Sequence, residues 1–207
     1  HYPYHGLSSF LRVLREAAIS PDVTAIRMTM YRLARNSKVV KTLICAARNG
    51  KKVTVVIELL ARFDEESNIN WSKQMQDAGI NVVFGMEGLK VHSKLVHISS
   101  RKGDVACIST GNFHEGNAAQ YTDVTLFTAR KRVVQEVGTV FGFIQKPYVP
   151  IRFKELLVSP NDMRRRLLAR IDKEIRNAAA GKPAYIMGKL NHITDRALVQ
   201  KLYEASA

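Results

Sequence analysis

The stretch KVTVVIELL, Lys52–Leu60, is almost unbroken in apolar residues. A strand with one wet face alternates apolar and polar side chains. A strand of this composition is the kind buried on both faces of a parallel sheet. Helical patterns lie on either side of it. Upstream, SKVVKTLICAARN (Ser37–Asn49) has helical spacing with Gly50 as its stop. Before that, TAIRMTMY (Thr24–Tyr31) reads as a strand. Downstream comes a helix over Glu66–Ala78, ended by Gly79, and then the strand INVVFG (Ile80–Gly85). KVHSKLVHI (Lys90–Ile98) and VACIS (Val105–Ser109), joined by SSRKGD, read as a hairpin. VTLFT (Val124–Thr128) is a further strand, and a helix over Arg130–Gln145 stops before Pro147. This alternation predicts an α/β fold, with a mixed, largely parallel sheet flanked by helices.

Past Pro147 and Pro150 the chain restarts. Pro160–Ala180 reads as a helix with a basic first half, closed by Gly181. IMGKLNHITDRALVQKLYEA (Ile186–Ala205) then reads as a strand, a polar turn and an amphipathic helix. IRMTMYRLARNSKVVKTLICAA (Ile26–Ala47) has the same order and nearly the same spacing, a weak internal repeat. The expectation is a first α/β domain over residues 1–147, and over 148–207 the truncated start of a second, similar half. With no initiator Met, the chain reads as an internal piece of a longer protein.

The 207 residues are 46% hydrophobic, enough for a real core. No run reaches the ~18 apolar residues of a membrane span, and the start HYPYHGLSSF lacks the regions of a signal peptide. The two cysteines, Cys45 and Cys107, read as buried thiols in a reducing compartment. Lys and Arg number 32 against 18 Asp and Glu, a net charge of +14. Such a field draws polyanions: nucleic acid, an anionic membrane or polymeric phosphate. Charge alone does not choose among them.

Within the hairpin's first strand, alternation places His92, Lys94 and Val96 on one face. A polar pair near a strand end of an α/β sheet is where such folds build sites. An HxK pair alone is more often a satisfied core histidine beside a snorkelling lysine. STGNFHEGNAAQYTD (Ser109–Asp123) follows closely, with Thr110, Gly111 and Asn112 at the end of the second strand. Their amides and the Asn112 side chain could bind phosphate oxygens or orient the imidazole. HxK followed by a Gly-Asn turn resembles the phospholipase D superfamily, in which the histidine is the nucleophile and the lysine holds phosphate.

MTMYR (Met28–Arg32), ELLARFDEESNINW (Glu58–Trp71), GLKVHSK (Gly88–Lys94), TGNFHEGNAAQYTD (Thr110–Asp123) and LFTA (Leu126–Ala129) occur in that order. This series resembles the polyphosphate kinase family, whose phosphohistidine domains share the phospholipase D fold, over essentially the whole chain. The resemblance implies reversible transfer of the ATP γ-phosphate to inorganic polyphosphate. His92 matches the phosphorylated nucleophile and Lys94 the lysine that holds phosphate. Arg32 and Arg62 match two arginines associated with phosphate and Mg²⁺. A guanidinium cannot ligate a cation, so they are expected to clamp phosphate near the metal. Tyr121 matches a nucleotide-contacting tyrosine; read by itself it could equally be a packing residue. Mg²⁺ is the implied cofactor, with ATP and ADP as substrates. Homo-oligomerisation, a bacterial cytoplasmic location and association with the inner membrane face are implied for full-length members.

These residue types suit the chemistry. Phosphoryl transfer is mostly positioning and charge neutralisation. Arginine forks bind phosphate bidentately. Imidazole is neutral and nucleophilic near pH 7, and a phosphoramidate keeps the transfer potential that a phosphoserine would lose. Among the other groups, Asp123 could orient a site group or cap a turn. Arg164, Arg165 and Arg166 read as a solvated helix face, with a polyphosphate path as the alternative. His97, His114 and His192 read as solvent or core histidines, and Trp71 as core.

Three departures qualify the resemblance. The phospholipase D pattern has an Asp five residues after the lysine, where this chain has Ser99. This disfavours the alternative of a phospholipase D-like phosphodiesterase. The second histidine of the family site has no counterpart here, and the family's amino-terminal regions are absent. The chain alone is therefore expected to be catalytically impaired. The remaining alternative is a non-catalytic basic module binding polyanions or nucleic acid. Against nucleic acid, the aromatics are few and not interleaved with basic residues.

Overall fold

A computed structural model describes residues 1–31, 33–34, 36–58, 65–85 and 88–206. The chain forms two compact units, His1–Pro150 and Ile151–Ala207.

The first unit is built on a six-stranded mixed sheet. Its strands are β1 (Val23–Met30), β2 (Lys52–Ile57), β3 (Asn81–Phe84), β4 (Lys94–Ser100), β5 (Val105–Ser109) and β6 (Thr125–Thr128), in the order β3-β2-β1-β4-β5-β6. Pairing is parallel in β3-β2-β1 and antiparallel from β1 through β4 and β5 to β6. The parallel share is smaller than the helix–strand alternation suggests. The turn over 101–104 that joins β4 to β5 is too short for the crossover that parallel neighbours need, and β4 itself runs antiparallel to β1.

Crossover helices join the parallel strands: α2 (Lys38–Arg48) between β1 and β2, and α3 (Glu65–Asp77) between β2 and β3. Ser37 caps α2, its Oγ accepting from the Val40 amide at 3.3 Å. Gly50 ends that connection at φ +77°, a conformation glycine adopts without strain. Helix α1 (Ser8–Ile19) goes beyond the elements expected above, although its buried Phe10, Leu11, Leu14, Ala17 and Ala18 have helical spacing. It packs on α2 and β1.

One face of the sheet, with Ile26, Met28, Val53, Val55, Val96, Ile98 and Cys107, joins these helices and Trp71 and Met75 of α3 in one core. Helix α5 (Lys131–Gln145) packs on β4 and β5. A Cβ at its Gly138 would lie 3.3 Å from His97 Nε2. His97 alternates with Val96, so α5 covers the other face. The continuous apolar reading of β2 fits this double cover: Val53 through Ile57 are all buried.

In the second unit α6 (Met163–Ala179) packs against α7 (Arg196–Ser206). The helix of the second repeat forms, but the strand expected from Ile186 does not. Ile186, Met187 and Leu190 are exposed, and no strand lies among the described residues of this unit for them to pair with. Arg166 also departs from a solvated reading. Its guanidinium donates to the carbonyls of Phe153, Lys154 and Leu156 at 3.0, 2.7 and 2.7 Å. It thus ties the incoming loop to α6. Arg164 does lie at the surface, 2.7 Å from Asp195.

Candidate active site

The carboxyl ends of β1, β2, β3 and β5 and the amino end of β4 meet at one margin of the sheet, since β1 runs parallel to β2 and antiparallel to β4. The end of MTMYR, the GLKVHSK stretch and the start of TGNFHEGNAAQYTD lie there, whereas LFTA on β6 runs away from it.

His92 lies just ahead of β4, which begins at Lys94. The expected sharing of one strand face therefore does not apply to it. The ladder stops at the Lys94–Ser109 pair, so His92 leaves the pleat and is exposed, while Lys94 is 6% exposed. Lys94 Nζ donates to the His92 carbonyl. The His92 ring meets Tyr31 edge-on, with centroids 5.2 Å apart and planes at 76°. Partial burial, then the Lys94 and Lys90 ammoniums, lower the His92 pKa. Each cause disfavours the imidazolium, so the nucleophilic neutral ring prevails at neutral pH.

Buried polar groups fix this segment. Thr29, 1% exposed, donates through Oγ1 to the Ser93 carbonyl at 2.6 Å and accepts from the Leu95 amide at 2.8 Å. It brackets Lys94 from the neighbouring strand. Glu58 Oε2 accepts from the Val91 amide at 3.1 Å. Asn68, fully buried, donates to the carbonyls of Tyr31 and Glu58 at 3.2 Å each. All three lie within the quoted MTMYR and ELLARFDEESNINW motifs, but none was given a role from the sequence. A strand Thr or a helical Asn does not reveal its role until tertiary pairing supplies its partner.

The Lys94–Ser109 pair also places Thr110-Gly111-Asn112 beside the histidine segment. Asp123 holds this turn by accepting from Thr110 Oγ1 at 2.8 Å. A Cβ on Gly111 would sit 2.1 Å from Asp123 Oδ2, so only glycine fits. Asn112 Oδ1 is buried with no hydrogen-bond partner among the described residues. An orphan acceptor of this kind costs ~1–3 kcal/mol and is suited to an imidazole N–H or a ligand donor. His114 is neither a core nor a solvent histidine. Its Nδ1 accepts from the Gly116 and Asn117 amides at 3.1 and 3.2 Å, capping α4 (Glu115–Gln120). Tyr121, just past α4, is 57% exposed and is therefore not a packing residue. No contact joins it to His92 among the described residues. Arg32 and Arg62 lie outside the described residues. In the sequence Arg32 comes after β1 and Arg62 after β2.

No group of three His, Cys, Asp or Glu able to hold a metal occurs among the described residues. Among the described residues the groups gathered about the His92 ring are Tyr31, Lys90 and Lys94, a set that fits phosphate oxygens better than Mg²⁺. Cys45 is exposed, contrary to expectation, because it falls on the outer face of α2; Cys107 is buried. No helix among the described residues is long and apolar enough to cross a membrane.

An exposed neutral imidazole with two ammoniums at the carboxyl margin of an α/β sheet is suited to phosphate-bearing anions. Comparison with known proteins shows the family. Residues 1–150 match the family model described as "Polyphosphate kinase C-terminal domain 1", and residues 156–207 match "Polyphosphate kinase C-terminal domain 2". The polyphosphate kinase of Salmonella typhimurium is 50% identical over 210 residues, covering 100% of this chain and 30% of that protein. That of Escherichia coli K12 is 49% identical over 211 residues, covering 100% of this chain and 31% of its own length. The crystal structure of polyphosphate kinase from Porphyromonas gingivalis superposes with a TM-score of 0.89 at 42% identity, over 99% of this chain and 35% of that one. The chain belongs to the polyphosphate kinase family. It spans about a third of the length of these relatives.

Proposed function

We propose that this chain carries the phosphohistidine site of a polyphosphate kinase, with residues 1–147 as the nucleophile-bearing domain and 148–207 belonging to a second one. The observation that carries the reading is the Lys94–Ser109 pair. It sets an exposed, neutral His92 beside the Thr110–Asn112 turn, with a buried lysine held against its carbonyl. In the first step an imidazole nitrogen attacks the γ-phosphorus of ATP. The N–P bond forms, the bond from phosphorus to the β,γ-bridging oxygen breaks, and ADP leaves with that oxygen. In the second, a terminal oxygen of polyphosphate attacks the same phosphorus, the N–P bond breaks and the imidazole is restored. Both steps are reversible, because anhydride and phosphoramidate have comparable transfer potential.

Lys94 neutralises charge on the transferred group, Asn112 receives an N–H through its orphan Oδ1, and Arg32 and Arg62 clamp phosphate. Tyr121 offers an exposed ring to the nucleotide base. Mg²⁺ enters chelated by the nucleotide's phosphates, as part of the substrate. ATP and polyphosphate are the partners. A homo-oligomer in the bacterial cytoplasm, touching the inner membrane face, is the setting the family resemblance implies.

The test is intact mass after incubation with ATP and Mg²⁺, on this chain and on a longer form that includes the second half, each beside His92→Ala. Acid-labile phosphate that vanishes in the variant is the expected result. A folded longer form that takes no phosphate overturns the reading. Comparing the two lengths measures how far the shorter chain is impaired.

A further inference from the structure

Lys90 lies in the GLKVHSK stretch but has been given no role so far, and as an exposed lysine it would ordinarily be a solvated charge. Its position is not ordinary. Its Nζ lies 5.1 Å from the centroid of the Tyr31 ring, and Lys94 Nζ lies 5.3 Å from the same centroid. The His92 ring meets that ring edge-on at 5.2 Å. One aromatic side chain therefore gathers two ammoniums and the imidazole.

The π-face of Tyr31 attracts both ammoniums and so holds them near one another at a margin open to water. An anion with several phosphate oxygens can accept from both at once. The backbone around this cluster is tied down from beneath. Asn68 holds the Tyr31 carbonyl and Glu58 holds the Val91 amide. Asn68 also holds the Glu58 carbonyl, so the two ties form one bracket. A lysine on such a base keeps a flexible stem with three donors. It can follow phosphate oxygens as a phosphoryl group moves onto and off His92.

We infer that Lys90 is a further phosphate-binding residue of this site, acting with Lys94 on the terminal phosphates of a tri- or polyphosphate, and that Tyr31 is the positioning residue that gathers the two. This rests on the reading of His92 as nucleophile. Tyr31 acts through its ring face and not through its hydroxyl.

The experiment is calorimetric titration of the chain with inorganic tripolyphosphate at physiological salt. Lys90→Ala is compared with Lys52→Ala, which removes an exposed lysine at the opposite, amino end of β2. Lys90→Ala is expected to weaken binding about tenfold, the loss of one charge-assisted hydrogen bond. Lys52→Ala is expected to weaken it less than about twofold, because a distant exposed charge is screened. Tyr31→Phe should bind as the unaltered chain does, and Tyr31→Leu as weakly as Lys90→Ala. The double variant Tyr31→Leu with Lys90→Ala should be no weaker than the weaker single one.

A Lys90→Ala result matching Lys52→Ala, or no tripolyphosphate binding to the unaltered chain, overturns the proposal. Equal behaviour of Tyr31→Phe and Tyr31→Leu overturns the positioning role. Persistent dependence on Lys90 while His92 never takes phosphate would instead remove the phosphohistidine reading and leave the anion site standing.

Discussion

Gly111→Ala tests the architecture of the site at its most crowded point. No positive φ is involved; the demand is for space. An ideal Cβ at 111 would lie 2.1 Å from Asp123 Oδ2, 2.4 Å from Cγ and 2.8 Å from Cβ. Ordinary contact begins near ~3.5 Å, so Asp123 would have to retreat by more than about 1 Å. It is not free to do so. Thr110 Oγ1 holds its carboxylate at 2.8 Å, and the Tyr2 amide holds its carbonyl at 2.7 Å. Overpacking of this kind costs ~1–3 kcal/mol, and a broken hydrogen bond to a charged group about 1.5–3 kcal/mol. A total of roughly 3 kcal/mol corresponds to a fall in Tm of about 6–12 °C for a unit of this size. Trp71, the single tryptophan, is buried in the first unit, so its fluorescence reports that unit's melting without the second. In an Asp123→Gly background the same substitution should cost less than about 1 kcal/mol, because its obstacle is gone. A Tm within about 1 °C of the parent, or an equal cost in both backgrounds, refutes the steric argument.

Acid should destabilise the first unit through its histidines. Burial and then Arg27 lower the His97 pKa against the opposing pull of Asp104, and burial and then Lys94 and Lys90 lower that of His92. Below about pH 6.5 the unfolded imidazoles therefore bind protons that the folded ones refuse. Stability falls as pH falls through that range, and His97→Gln should flatten the Tm profile between pH 6.5 and 5. An unchanged profile would show that His97 does not contribute. Thr29→Val keeps the shape but strips two hydrogen bonds from the backbone around Lys94. It should cost about 2 kcal/mol by the same fluorescence melt and slow His92 phosphorylation, read by intact mass; a neutral variant would deny Thr29 its bracketing role. Burial pushes the Cys107 thiol up to about 12, while Cys45 is exposed. A thiol reagent at pH 8 should therefore titrate one cysteine per native chain and two after denaturation.

Much of this molecule was legible because its signals are local. The apolar run of β2, the helical period and Ser37 cap of α2, and the Gly50 stop each follow from a few neighbouring residues. So does the motif series that marks the family, and with it His92 and Lys94. Other features were misread because their causes are distant in sequence. His92 looked like a strand residue, but the ladder ends at the Lys94–Ser109 partnership, which alternation cannot locate. Ile186 looked like the start of a strand, yet a strand exists only when another pairs with it. Arg166 looked like one of three solvated arginines, and its three carbonyl partners lie 10 to 13 residues away.

The sequence by itself determined the class of fold and the family, and it pointed to two units and to His92 and Lys94 as candidates, since period, punctuation and residue chemistry act over a few positions. Tertiary structure alone decided that the antiparallel β1–β4 ladder carries His92 to the margin where β1, β2 and β5 end. It also decided that Thr29, Glu58 and Asn68 hold that margin from below, and that Lys90 and Lys94 share the ring of Tyr31. Those relations span tens of residues along the chain. They exist only once burial of both sheet faces has fixed the register.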